Sequence, residues 1–196
     1  QKYQTILETV MNLDQQPGII YAATRAKTDA ILQLLIDNGV DAVGYHAGME
    51  TIDRQQVQND FMSGRIPIIV ATNAFGMGID KSDIRFVIHA DLPGTIESYY
   101  QEAGRAGRDN QPSICLLLYH PKDRYLREFF IKGDNPSPKL ILDIYDFLCS
   151  FEKNKILITY SQILENLQTE APDMAVGTAI KVLETAQAGL TQLSLE

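Results

Sequence analysis

The sequence predicts an α/β fold, a parallel sheet with helices on both faces, followed by a small helical domain. Three observations point to it. Five short apolar runs, GIIYAAT, DAVGYHA, IPIIVAT, IRFVIHA and ICLLLYH, recur through the first 120 residues. The segments between them carry a helical period. The runs are apolar almost throughout rather than on alternate residues, as in strands buried on both faces of a parallel sheet.

Taken in order, GIIYAAT is the first strand, and TRAKTDAILQLLIDNG after it places Ala30, Ile31, Leu34 and Leu35 on one helix face before Gly39, a natural C′ position. DAVGYHA is the second strand, and ETIDRQQVQNDFMSG sets Ile52, Val57 and Phe61 on a face that ends before Gly64. IPIIVAT, IRFVIHA and ICLLLYH complete the sheet. Ligands of such sheets sit beyond the carboxyl ends of the strands, so function belongs to the loops that follow them. The character changes after KDRYLREFFIKG, where GDNPSPK holds two prolines, a glycine and no apolar residue. A boundary near Asn135 gives two domains, 1–134 and 135–196. Three helical patterns follow, KLILDIYDFLCSF, SQILENLQ and MAVGTAIKVLETAQAG, the second with Ser161 as N-cap and the third ending at Gly189. LTQLSLE then alternates like one strand. Three short helices and a strand fit a winged helix incomplete at its wing, and a helical appendage without a nucleic-acid role fits the same pattern equally well.

The chain of 196 residues is 45% apolar and carries a formal net charge of −8. Residues 1–120 hold nine Lys/Arg against fourteen Asp/Glu, and the remainder eight against eleven, so neither part is a basic DNA clamp. With no basic-then-apolar leader and no run of about 18 apolar residues, a cytoplasmic location is expected. Gln1 is not an initiator methionine, and excision from a longer chain is expected. Cys115 and Cys149 have unlike surroundings and form no CxxC, which argues against a disulfide scaffold or a zinc site; both read as buried small hydrophobes.

A nucleotide-handling α/β domain normally carries GxxxxGK[ST] and a strand-end acidic motif for magnesium, and this chain has neither. A self-sufficient ATPase is not expected. What remains are the strand-end loops TRAKT, YHAGM and TNAFGMGID, and the string QEAGRAGRD ahead of the last strand. In that string Arg105 and Arg108 each follow a glycine, although the chain as a whole is acidic.

These strings resemble a known family. YAATRAKTDA, VATNAFGMGIDKSDIRFVIHADLP and ESYYQEAGRAGRD are similar to motifs IV, V and VI of the second RecA-like lobe of RecQ-family DNA helicases, across residues 18 to about 122. DEAD-box RNA helicases usually have histidine in place of Gln101. The resemblance implies an ATP-dependent DNA helicase in which ATP and Mg lie between two lobes, held mainly by a first lobe that carries the P-loop. Single-stranded or junction DNA would run across both, and the N-terminal RecA-like lobe of the same chain would be the partner. A non-catalytic helicase-like module that docks protein or nucleic acid is the competing reading, supported by the absent P-loop.

The resemblance implies that Arg105 and Arg108 face the terminal phosphate of a nucleotide held by the other lobe. Gly104 and Gly107 would allow close backbone approach, Gln101 would lie near the nucleotide, and Asp80 is a candidate for ribose contact. Thr24, Arg25, Thr72 and Asn73 stand just after strands, where they would meet DNA phosphates without reading bases. His46 matches the family's YHAGL string, with a structural hydrogen bond as the alternative to a DNA contact. His89 and His120 read as packing or capping residues, and Tyr99 and Tyr100 as core or rim of a helix. Many RecQ helicases insert a four-cysteine zinc module between lobe and winged helix. This chain lacks its ligands, so no zinc is expected.

Overall fold

The computed structural model describes residues 2–76, 78–151 and 156–186. The chain divides into two compact units, residues 1–123 and 124–196. The first comprises α1 (Lys2–Asn12), β1 (Gly18–Tyr21), α2 (Arg25–Asp37), β2 (Ala42–Tyr45), α3 (Thr51–Met62), β3 (Ile68–Ala71), β4 (Phe86–His89), α4 (Ile96–Ala103) and β5 (Ile114–Leu117). The second comprises α5 (Asp123–Asp134), α6 (Pro138–Cys149), α7 (Tyr160–Asn166) and α8 (Asp173–Thr185), α5 beginning at the boundary residue.

All five strands are parallel in the order β2-β3-β1-β4-β5. The three inner strands are buried along their whole length, β2 is half-buried, and β5 is largely exposed. Burial on both faces is thus a property of the three inner strands only. Successive residues of the inner strands enter opposite cores. Ile20, Ile68, Val70, Phe86 and Ile88 meet Ile6 and Val10 of α1 and Ile31 and Leu35 of α2. Ile19, Tyr21, Ile69, Ala71 and Val87 meet Phe61 of α3 and Phe75, Ile79 and Ile84. Those last three lie in the β3–β4 connection, residues 72–85, the one crossover without a helix among the described residues.

The helices depart from expectation in detail. The buried stripe of α2 is Thr28, Ile31 and Leu35, whereas Ala30 is exposed and Leu34 only partly covered. Thr28 is tolerated there because its hydroxyl donates to the carbonyl of Thr24 at 3.1 Å. On α3 Phe61 is buried and Ile52 lies 79% exposed in the first turn, beyond the reach of the sheet. Gly39 does stand just past α2, at φ +76°.

Cys115 and Cys149 are both exposed, contrary to the buried positions expected of them. Cys115 sits on the edge strand, where its thiol donates to the carbonyl of Ala103 at 3.5 Å. The two compact units meet between Asp123 and Arg124, in the first turn of α5. Asp123 is the last tie of the first unit: its carboxylate accepts from Lys2 Nζ at 2.6 Å and from the His120 amide at 2.8 Å. Burial opposes the charged form of Asp123, but the Lys2 and His120 bonds outweigh it and hold the carboxyl below its usual range. The proline-rich stretch separates two helices of the second unit, with Ser137 capping α6 through the Leu140 amide at 3.2 Å.

In that second unit Leu140, Ile144 and Leu148 of α6 pack with Ile163 and Leu164 of α7 and Val176, Ala179, Ile180 and Leu183 of α8. Ser161 is not the cap of α7. Thr159 is, in a capping box: its hydroxyl accepts from the Gln162 amide while Gln162 Oε1 accepts from the Thr159 amide. Ser161, one residue into the helix, instead bonds Asp173 at the start of α8, 3.1 Å away. Gly189 and the expected strand at 190–196 lie outside the described residues.

Candidate functional site

The carboxyl ends of β2, β3 and β1, adjacent in the sheet, carry the residues expected to meet DNA. Thr24 caps α2, its hydroxyl accepting from the Lys27 amide at 3.3 Å. Arg25, exposed in the first turn of α2, lies against Gly48 of the loop after β2, so closely that a Cβ there would come within 2.6 Å of its Nη1. His46 is fixed in the same loop. Its Nδ1 accepts from the Gly48 amide at 3.2 Å, and its Nε2 faces Asp29 of α2 at 3.4 Å. The structural hydrogen bond foreseen for His46 is therefore present. Thr72 is buried, with its hydroxyl turned to the Ala74 amide at 3.4 Å, and Asn73 beside it is exposed.

Between β1 and β4 the chain leaves the sheet in opposite directions, the place where open parallel sheets usually bind ligands. Here the opening is bridged from within. Asp91, 5% exposed, accepts from the Ala23 amide at 3.1 Å and pairs with Lys27 Nζ, while Lys2 Nζ donates to the Ala90 carbonyl at 2.7 Å. The loops after β2, β3 and β1 remain as the open part of this edge.

Arg105 and Arg108 lie in the turn after α4, and their guanidinium groups converge on one acceptor. Arg105 Nη1 and Arg108 Nη1 approach the Ile79 carbonyl at 3.5 and 3.3 Å. Gly76, at φ +154°, forms the floor beneath Arg105: a Cβ there would come within 2.5 Å of Arg105 Nη2. The Nε of Arg105 is buried without a hydrogen-bond partner. Arg108 is more open and is held by Asp80 Oδ1 at 2.9 Å and by the Gly104 carbonyl at 3.2 Å. Asp80, itself 87% exposed on its side chain, is thus the counter-ion of Arg108. Gln101 is exposed on α4.

The two glycines of the arginine string have unlike tasks. Gly104 is the C-cap of α4 with ordinary φ, whereas Gly107 turns the chain at φ +67° and faces Ser113 and Gln111 with no room for a side chain. The turn is braced by Arg85, whose Nη2 meets both Asp109 carboxylate oxygens at 2.6 Å, and by the Gly107 amide on the Ile84 carbonyl at 3.0 Å. The Arg85 hydrogen bond is the main reason the Asp109 carboxyl is held below its usual range.

Sequence reasoning did not single out Arg85, Asp109, Lys27, Asp91, Tyr21 or Glu102. His89, expected to pack or cap, has its Nε2 2.9 Å from Glu102 Oε2, and its ring stacks on Tyr21 and tilts toward Tyr99. Tyr99 faces this cluster and Tyr100 is exposed. Burial pushes the Tyr21 hydroxyl up to about 12, against the opposing influence of Arg105. The signal available was the charge inside apolar strings: Arg85 and His89 interrupt IRFVIHA, and each has a carboxylate partner in the arginine string. His120, expected to pack or cap, helps form the turn that opens α5.

Five parallel strands, two buried cores and an arginine turn seated on the β3–β4 loop define a RecA-like α/β lobe. The fold is shared with Saccharomyces cerevisiae Dbp5 bound to RNA and ADP BeF3, at TM-score 0.57 and 23% identity over 67% of this chain and 35% of that one. A DEAD box protein from Methanococcus jannaschii gives TM-score 0.56 and 25% identity over 67% of this chain and 36% of that chain. The chain belongs to the helicase conserved C-terminal domain family, which matches residues 1–110, and within it to the RecQ family. It is 52% identical over 114 residues to the ATP-dependent DNA helicase RecQ of Pasteurella multocida, covering 58% of this chain and 18% of the relative. To that of Bacillus subtilis it is 46% identical over 143 residues, 73% of this chain and 24% of the relative. ATP-dependent DNA helicase Q5 of Mus musculus is 43% identical over 144 residues, 68% and 15% respectively. The chain therefore spans a quarter or less of the length of these relatives. Among the described residues no helix is long and apolar enough to cross a membrane, and no group of three or more His, Cys, Asp or Glu is placed to hold a metal ion.

Proposed function

We propose that this chain is the second lobe of an ATP-dependent DNA helicase motor and supplies arginine fingers to a nucleotide held by a P-loop lobe. The observation that carries this reading is the convergence of Arg105 and Arg108 on the Ile79 carbonyl beside the bare backbone of Gly76. A guanidinium has only donors, and one whose Nε is buried without an acceptor suits an incoming phosphate. Charge spreads over the phosphoryl oxygens in the transition state, and a planar fork aimed at them stabilises it.

In this scheme Asp80 holds Arg108 until nucleotide arrives, then exchanges that contact for the ribose, with Gln101 nearby. The magnesium ion belongs with the P-loop lobe, and no zinc is required. Thr24, Arg25, His46, Thr72 and Asn73 form a three-strand edge for the phosphates of single-stranded DNA, with Arg25 and Asn73 reaching outward and the others holding the loops. Residues 135–196 act as a winged-helix-like appendage, whose α8 carries Lys181 on any DNA-facing side.

The test is DNA-stimulated ATPase activity of the complete helicase beside its nucleotide affinity. Arg108→Ala is expected to lower turnover by about 10³-fold or more while nucleotide affinity is retained, with Arg105→Ala nearly as severe. Arg108→Lys is expected not to restore it, since an ammonium cannot reproduce a planar fork. Near-normal turnover of Arg108→Ala would make the pair structural and favour a docking module.

A further inference from the structure

Helix α4, which delivers the two arginines, has no fully buried residue, so core packing alone does not set its position. It is tied to the sheet by an ionisable pair instead. Glu102, its side chain 12% exposed, meets the Nε2 of His89, which is 1% exposed at the end of β4, at 2.9 Å. A carboxylate accepts only, so the imidazole carries its proton on Nε2. The His89 ring is immobilised in turn by Tyr21 at a centroid distance of 5.4 Å and by Tyr99 at 5.2 Å. The backbone carbonyl of Glu102 accepts the amide of Arg105 at 3.2 Å, so a shift of Glu102 moves Arg105 directly. Tyr21 closes the circuit: its hydroxyl bonds the Phe75 carbonyl at 3.3 Å, one residue from the Gly76 floor on which Arg105 lies.

We propose that Glu102, seated on His89, is a positioning residue that registers α4 against β4 and thereby sets where Arg105 and Arg108 are presented. This inference rests on the reading of those arginines as groups that face the reacting phosphate. A partly buried carboxylate–imidazole bond is directional, whereas apolar contacts would let α4 slide by fractions of an ångström. A misplacement of about 1 Å costs on the order of 10²-fold in rate.

The test uses the complete helicase, with kcat and KM for ATP measured under saturating DNA, and thermal midpoints recorded alongside. Glu102→Ala is expected to lower kcat by about 10²-fold while KM stays within about twofold, the pattern of a contact that matters in the transition state. Glu102→Gln keeps an acceptor for the imidazole proton and is expected to recover most of kcat. If Glu102→Ala does not fold, Glu102→Asp, which keeps the charge and loses the reach, carries the same expectation as the alanine variant. Wild-type kcat in the alanine variant, parallel changes in kcat and KM, or glutamine no better than alanine would each overturn the proposal. Arg105→Ala and Arg108→Ala run beside these variants: if they keep turnover, the finger reading and this inference fall together. If they abolish it and Glu102→Ala does not, only the inference falls.

Discussion

At the scale of single residues the site depends on what Gly76 leaves empty. Arg105 occupies the space a side chain would fill, and the backbone there stands at φ +154°, where an L-residue is strained. Gly76→Ala should displace the Arg105 guanidinium from the Ile79 carbonyl. On the finger reading, DNA-stimulated ATPase activity of the complete helicase then falls by about 10²-fold. The thermal midpoint of the variant, read beside the rate, separates this from unfolding, and unchanged turnover would show that the seat has no part in hydrolysis. The sequence displays the two arginines and their glycines plainly, because GRxGR in an acidic chain is conspicuous. It does not display the partner of each. Asp80 is 28 positions from Arg108 and Glu102 is 13 from His89, and only the folded chain brings these partners together.

At the scale of elements, caps and edges account for the differences between pattern and structure. Thr159 and Ser161 are both good N-cap residues, and spacing to the first apolar residue does not separate them. The capping box does, since Gln162 stands three residues after Thr159 and reaches back to its amide. Thr159→Ala removes the hydroxyl that satisfies the Gln162 amide and should cost about 0.5–2 kcal/mol, whereas Ser161→Ala should cost less. Urea denaturation followed by a probe in the second unit measures this, and a larger loss from Ser161→Ala would reverse the assignment. The strands were legible because the inner three are apolar without interruption. The exposure of β5 and of Cys115 was not legible, because an edge strand and a central strand of a parallel sheet can share one composition, and sheet order is a matter of crossovers.

At the scale of the whole molecule the proposed motor is divided between lobes, and on that proposal this chain presents arginines to a nucleotide that the other lobe holds. On that reading it should hydrolyse ATP at background rate when assayed alone, since it has neither the lysine of a P-loop nor a strand-end magnesium carboxylate. A steady-state assay on contaminant-free protein checks this, and robust turnover would refute it. Hydropathy period and local strings by themselves determined the α/β class, the five strands, the helices from residue 138 onward and the arginine string, because these depend on neighbours in sequence. Tertiary structure alone decided the strand order, the pairing of Lys2 with Asp123, the ion pairs across the arginine turn and the seating of Arg105 on Gly76. Each of those is a contact between residues distant in the chain, and hydrogen bonds and ion pairs of that kind leave no period in the sequence to read.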